Sequence, residues 1–429
     1  MSVTIYTAIK NKYLSWLLLS LLVGVLAGFI SGIFLIFLDI ATRVRDINQD
    51  IIWLLPFAGL CIGYVYSRYG NESSKGNNLI IEEIHEPRKI VNLRIAPLVF
   101  LGTIVTHFFG GSTGREGAAV QLGATLSDQI AKYFSLNSDE RRILLTAGAG
   151  AGFGASIGVP FAGMIFGMEF LAVGRLRFFA LVQCFIASFT GYFVVNLLDA
   201  PHMMYPDIVF PGFRLEILLY VLLSGVIFGL SAQFFSRLTH IIDFLSQKFF
   251  LDAAIRAFVG GVIIVIFYYL EGSYRYVGLG LPYIEASLSE QSSFNDPVLK
   301  IFFTALSLGF GFKGGEFTPL VFIGVTLGSS MGLFFPDHFS LLAALGFAAV
   351  FGAASNTPLT CTIMAIELFG FGIAPYALVA CYTAYYCSGH SGIYKSQRIY
   401  MKKHKRLIYF LKFSCEAVMK FLNRIIKRD

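Results

Sequence analysis

The chain has 429 residues, 56% of them apolar and only 14% charged, with a mean hydropathy of +0.70. Soluble domains carry about 25% charged residues, so the polar groups here are too few to coat a 47.4 kDa globule and lipid must cover much of it. That excludes a disordered chain, a polar nucleic-acid-binding domain and an ordinary cytosolic enzyme, and it points to an integral membrane protein.

Lys10 and Lys12 precede an uncharged run from Tyr13 to Leu38. The run is too long for a signal-peptide core and has no obvious cleavage site, so it is read as the first retained span. Further runs free of Asp, Glu, Lys and Arg follow at Ile95–Gly114, Ile143–Met168, Phe178–Leu198, Ile217–Ser236, Phe317–Pro336, Phe339–Ile366 and Leu368–Tyr394. These qualify by length for a helix that crosses the roughly 20 residues' depth of hydrocarbon, whereas Ala257–Leu270 is short enough to cross only partly. The small-residue stretch 147–160, AGAGAGFGASIGVP, suits either close helix packing or a break. Gly and Pro at membrane depth imply freed backbone groups that line a cavity or lie buried in protein. From Lys395 onward eleven basic residues stand against two acidic ones, while the preceding 394 residues hold 22 basic and 24 acidic. The basic tail reads as a cytoplasmic orientation signal at an anionic lipid surface, not as a nucleic-acid site. The six cysteines have no metal-ligand spacing and read as small core residues, so neither a metal nor a cofactor is expected.

The chain repeats itself. FGASIGVPFAGMIFGMEF (153–170) aligns with FGAASNTPLTCTIMAIEL (351–368) at an offset of 198, with Phe153/Phe351, Pro160/Pro358 and Glu169/Glu367 among six identities. Upstream, Gly114/Gly314 and Glu116/Glu316 match at an offset of 200, and the GxTL pieces that follow need a one-residue gap. Duplicated halves with Gly/Pro-interrupted segments are the sequence pointer to a secondary-transporter core. There, helices stop near the midplane and aim their N-termini at an anion, supplying positive potential without a fixed cation. Inverted repeats would bring both GxE segments to one site.

Gly111–Gly117 leads into a helix predicted to begin near Gly117. A Glu116 carboxylate at that helix start can occupy the donors an anion would use, and protonation would release it, linking anion to proton. The alternative is a helix cap paired with Arg115. An ionisable group in a membrane segment is a functional candidate by default.

GREG (114–117), GEFTP (315–319) and the paired Pro-containing segments resemble those of the CLC anion channels and proton-coupled anion antiporters, over nearly the whole chain. The resemblance implies a homodimer with one pore per subunit, about eighteen helices, and Glu116 as the gating glutamate. Asn77 stands where most relatives carry the anion-coordinating serine, Ala118 where they carry the proline of GREGP, and Glu316 at the variable position of GxFxP. Tyr394 resembles the inner-gate tyrosine. These departures resemble the fluoride-exporting CLC-F branch. Fluoride is small and strongly hydrated, and an Asn77 amide offers two N–H donors where serine offers one O–H; a helix cap is the other reading of Asn77. Thr318 could add a hydroxyl. Glu116 and Glu316, if brought together, would repel as carboxylates, favouring a proton on one of them; Glu316 could instead be satisfied by backbone donors. Phe170 takes the place of the carboxylate that relays protons in chloride/proton relatives, and Glu169 and Glu367 read as interfacial or structural.

The expectation is an all-α polytopic protein of CLC-like fold, with two inverted repeats and broken helices meeting at a midplane anion site. Residues 1–12 form a cytoplasmic N-terminus, 13–200 and 201–394 the two membrane repeats, and 395–429 a basic cytoplasmic tail. The expected function is export of fluoride in exchange for protons across a cell membrane. Glu116 and Glu316 would serve gating and proton coupling, and Asn77, Gly117, Phe317, Thr318 and Tyr394 would hold the anion. A chloride/proton antiporter and a passive anion channel of the same fold are the alternatives.

Overall fold

The computed structural model describes residues 12–405, apart from 204, 207 and 209. Most of the basic tail therefore lies outside the described residues. Among the described residues sixteen α-helices account for most of the structure, and they fall into two series of eight. The first is α1 (Lys12–Ile47), α2 (Leu55–Tyr69), α3 (Asn77–His85), α4 (Ile95–Phe108), α5 (Glu116–Tyr133), α6 (Ser138–Ile157), α7 (Pro160–Glu169) and α8 (Leu181–Leu197). The second is α9 (Leu215–Phe249), α10 (Ala253–Glu271), α11 (Leu281–Ser289), α12 (Asn295–Gly309), α13 (Phe317–Ser330), α14 (Phe339–Ser355), α15 (Pro358–Phe369) and α16 (Ala374–Cys387). Long, short and broken helices recur in the same order: α1 and α9 have 36 and 35 residues, α3 and α11 nine each.

Among the described residues five helical spans are long and apolar enough to cross a membrane; four of them expose large apolar side chains outward, as lipid-facing surfaces do, whereas Pro336–Ser355 is mostly buried inside the protein. Ala257–Leu270 belongs to one of them: α10 starts earlier, at Ala253, because Asp252 caps it by accepting from the Ala254 and Ile255 N–H groups. Several charge-free runs are not single helices. The run 143–168 breaks at Gly158, which ends α6 with φ +93°, and the run 339–366 breaks at Asn356, which ends α14 with φ +62°. Left-handed residues of these types terminate helices, and Pro160 and Pro358 then open α7 and α15, where a missing N–H costs nothing. The break at 147–160 thus falls at its C-terminal end, and the small residues before it are buried in packing.

Two further devices tie the halves. Glu367 of α15 accepts from the Phe161 and Ala162 N–H groups at the start of α7, at 2.9 and 2.7 Å. Glu169 of α7 accepts from the Leu359 and Thr360 N–H groups of α15, at 3.1 and 2.7 Å, and from the Thr360 hydroxyl. Each helix lacks a side-chain cap of its own, so each repeat caps the other. A two-residue parallel pair, β1 (Ala172–Val173) with β2 (Arg398–Ile399), fastens the segment after α16 to the loop after α7. Cys184, Cys361 and Cys381 are buried and unpaired, whereas Cys61 is exposed on α2.

Candidate functional site

The N-termini of α5 and α13 face each other across one antiparallel bridge, in which Gly114 and Gly315 exchange N–H···O bonds of 2.6 Å in both directions. This bridge corrects the repeat register. It pairs Gly114 with Gly315, an offset of 201 rather than 200, and the two helices start 201 residues apart, at Glu116 and Phe317. With that register the GxTL pieces, Gly123–Leu126 and Gly324–Leu327, align without a gap. Glu116 is therefore the counterpart of Phe317, and Glu316 that of Arg115.

Glu116 is 3% exposed. Its Oε2 accepts from the Thr318 hydroxyl at 2.7 Å and from the Arg115 N–H at 3.2 Å, and its Oε1 accepts from Arg115 Nε at 3.2 Å. The carboxylate of one repeat thus sits on a donor of the other, and the Arg115 pairing is present beside it. Gly117 lies next to this contact. A Cβ there would stand 3.0 Å from Gly315 Cα, 3.1 Å from Asn77 Nδ2 and 3.8 Å from Glu316 Oε2. Only a bare Cα leaves room where these three groups converge.

Asn77 is the first residue of α3; its side chain makes no capping bond, and its carbonyl oxygen is buried without a partner. Its side chain and the Tyr394 hydroxyl are within hydrogen-bonding reach. Glu316, immediately ahead of α13, turns towards a cavity of about 410 Å³ that Asn77, Ala118 and Tyr394 also line. All seven sequence-predicted residues, Glu116, Glu316, Asn77, Gly117, Phe317, Thr318 and Tyr394, therefore gather around the Gly114–Gly315 bridge and the inner end of this cavity.

An aromatic column runs behind them. Phe153 and Phe166 stack at 3.9 Å, and Phe166 stacks on Phe170 at 4.8 Å. Phe170 meets Tyr394 edge-on at 6.1 Å, and Phe317 meets Phe351 edge-on at 4.6 Å and Phe153 at 5.5 Å. Ring edges carry partial positive charge, so the column offers an anion weakly polar walls without fixed cations. The sequence reading passed over Phe153, Phe166 and Phe351 as site residues, although Phe153/Phe351 is an identity of the repeat. It also missed the residues that hold Tyr394. Gln397 donates to the Phe170 and Ser355 carbonyls at 2.8 Å and accepts from Asn356, while Ser396 donates to Asn78 Oδ1 and Glu82.

Opposed helix ends, a carboxylate seated on a donor from the other repeat, and neutral donors at a buried cavity define an anion-handling membrane transporter or channel of duplicated broken-helix design. The chain belongs to the voltage gated chloride channel family, whose model matches residues 58–389. It is 43% identical over 397 residues to a chloride/fluoride channel protein of Pseudomonas syringae pv. tomato, covering 91% of this chain and 88% of that one. It is 29% identical to an H(+)/Cl(-) exchange transporter ClcA of Vibrio cholerae, over 82% of each chain. Among solved structures, a CLC-type fluoride/proton antiporter superposes with a TM-score of 0.87 at 33% identity, covering 91% of this chain and all of that one. A slow cyanobacterial Cl-/H+ antiporter, at 20% identity and a TM-score of 0.78, shares the fold.

Proposed function

We propose that this protein is a secondary active transporter that exports fluoride in exchange for protons, and that it does so as a homodimer with one pore per subunit in a cell membrane. The observation that carries this is the Glu116 carboxylate on the Thr318 hydroxyl at 2.7 Å, between opposed helix ends. An ionised Glu116 occupies the donor that a dehydrated anion needs. Protonation removes its charge, weakens that bond and frees the seat, so anion and proton exchange places. Fluoride suits the seat because Thr318, the Asn77 amide and the Tyr394 hydroxyl are neutral hydrogen-bond donors, which replace a tightly held hydration shell. Gly117 and Phe317 shape the same space. Glu316, facing the cavity, carries protons or repels returning anions. Residues 13–200 and 201–394 act as the two membrane repeats, supported by the two series of eight helices. The segment 395–429 faces the cytoplasm with residues 1–12, as its basic excess favours.

A passive anion channel is the second reading, favoured by the channel name of the Pseudomonas relative. Flux from liposomes separates the two. A fluoride gradient should drive protons uphill, and Glu116→Gln should abolish that coupling. Fluoride current with no proton movement would establish the channel, and equal transport of chloride would overturn the fluoride assignment.

A further inference from the structure

Buried polar atoms without a protein partner are few among the described residues, and five of them belong to residues lining one cavity: the Tyr66, Thr103 and Thr239 hydroxyls, Arg256 Nε and the Asn77 carbonyl. Asn77 belongs to the site above. The others come from a different set of elements, α2, α4, α9 and α10, and Lys313 joins them from the loop ahead of α13. The Lys313 ammonium lies 4.1 Å from the centre of the Tyr66 ring. A Cβ placed on Gly102, next to Thr103, would lie 3.2 Å from both the Tyr66 hydroxyl and Lys313 Cγ. Arg256 packs its guanidinium against Gly311, two residues before Lys313, with Nη2 3.6 Å from a Cβ placed there.

Neither cation has a carboxylate within ion-pair distance among the described residues. The acid on this side of the cavity, Asp243, is already engaged by Lys395 at 2.9 Å and by Gln247 at 2.6 Å. Two neighbouring cations repel, and a buried donor left unmade is costly. Both costs vanish together if an anion lies between them. We infer that Lys313, Arg256, Tyr66 and Thr103 form a second anion-binding site in the wall of the cavity, for a small monovalent halide, which concentrates the anion before it reaches Asn77 and Tyr394. With fluoride as that halide, the inference rests on the function proposed above. Fixed positive charge in a low-dielectric cleft raises the local concentration of its substrate, so this site governs the fluoride concentration needed for transport and leaves proton coupling to Glu116.

Two measurements on the full-length protein test this. In liposomes, with fluoride efflux and proton uptake recorded together, Lys313→Met and Arg256→Gln should each raise the half-saturating internal fluoride concentration about fivefold or more at an unchanged fluoride-to-proton ratio. Lys313→Arg should restore it. Half-saturation within twofold of wild type for both neutralised variants overturns the inference, as does failure of Lys313→Arg to restore it. In detergent, thermal unfolding is followed in sodium fluoride and sodium gluconate at equal ionic strength. Fluoride should raise the melting midpoint of wild type more than that of Lys313→Met or Tyr66→Phe; equal shifts overturn the second site. The melting measurement stands even if wild type moves no fluoride, a result that would overturn the antiporter assignment alone.

Discussion

Replacing Glu169 by alanine should destabilise the protein without breaking proton coupling. Pro358 occupies the first position of α15 and has no N–H, so the next two donors, Leu359 and Thr360, are the orphans of that helix. Both point at Glu169, and the Thr360 hydroxyl adds a third bond at 2.7 Å. Alanine leaves two backbone donors buried and unmade, at about 1–3 kcal/mol each, while the hydroxyl can rotate to another acceptor. The expected loss is therefore about 2–6 kcal/mol. Glutamine keeps one acceptor oxygen and should lose about half of this, and Thr360→Val, which removes only the hydroxyl bond, about 1 kcal/mol. The drop in melting midpoint of the purified protein in detergent should be largest for Ala, smaller for Gln and smallest for Thr360→Val, with Glu367→Ala losing less than Glu169→Ala because the Phe161 and Ala162 donors it strips are less buried and no hydroxyl joins them. Proton-coupled flux by Glu169→Gln should persist. A Glu169→Ala protein that melts like wild type would refute the cap, and a stable Glu169→Gln protein that moves fluoride without protons would make Glu169 a proton relay.

Thr318→Val removes the 2.7 Å bond that seats Glu116; the loss of about 1.5–3 kcal/mol loosens the gate about 10- to 150-fold, read in liposomes as fluoride flux no longer matched by protons. Asp128→Ala should be far more damaging than loss of an exposed ion pair, because it strips the buried Arg141, held by Asp128 at 2.6 Å and Glu83 at 2.9 Å, of one of its two carboxylates. Breaking a buried pair costs about 3–5 kcal/mol, so folded protein recovered in detergent should drop sharply, whereas Lys75→Ala, which breaks only the exposed bridge to Glu82, should cost under about 1 kcal/mol. Gly117→Ala should cut fluoride flux at least tenfold while lowering the melting midpoint less than Glu169→Ala does, since its Cβ fills the space beside Asn77 Nδ2 and overpacking costs about 1–3 kcal/mol.

Scarcity of charge, together with the family resemblance, made the candidate site legible. In a chain with so few acids, Glu116 and Glu316 inside apolar segments stand out, and Gly, Asn and Pro at the helix ends mark the breaks that the structure shows at Gly158 and Asn356. The register of the repeat was not legible. Gly114/Gly314 and Glu116/Glu316 are identities by residue type, but backbone pairing between Gly114 and Gly315 decides which positions are equivalent. Most of the aromatic column was hidden by abundance: 44 phenylalanines make any one of them look like packing, and only contacts between separate helices distinguish Phe153, Phe166 and Phe351. Arg141, Asp128 and Glu83 are too far apart in sequence for their network to be foreseen. Glu169 and Glu367 were visible as a repeated pair, yet their donors lie about 200 residues away, beyond any local capping pattern.

The corrected register explains why two nearly equivalent helix ends do different work. At the first helical position the halves carry Glu116 and Phe317, and one residue earlier Arg115 and Glu316. At the second position they carry Gly117 and Thr318. Thr318 reaches across the bridge to Glu116, but the symmetric reach, from Gly117 back to the first residue of α13, has no side chain to make it and finds a phenylalanine there. One end therefore holds an ionisable group on a donor from its partner, and the other presents an aromatic ring. Glu316, displaced by one position, has no counterpart of Thr318 and faces the cavity instead. A perfectly repeated pair of helix ends would place two carboxylates alike at the bridge, where they would repel each other. Substitution at three adjacent positions breaks that equivalence while the glycine bridge keeps the backbones paired, so a single carboxylate, not two, is seated on a donor at the bridge.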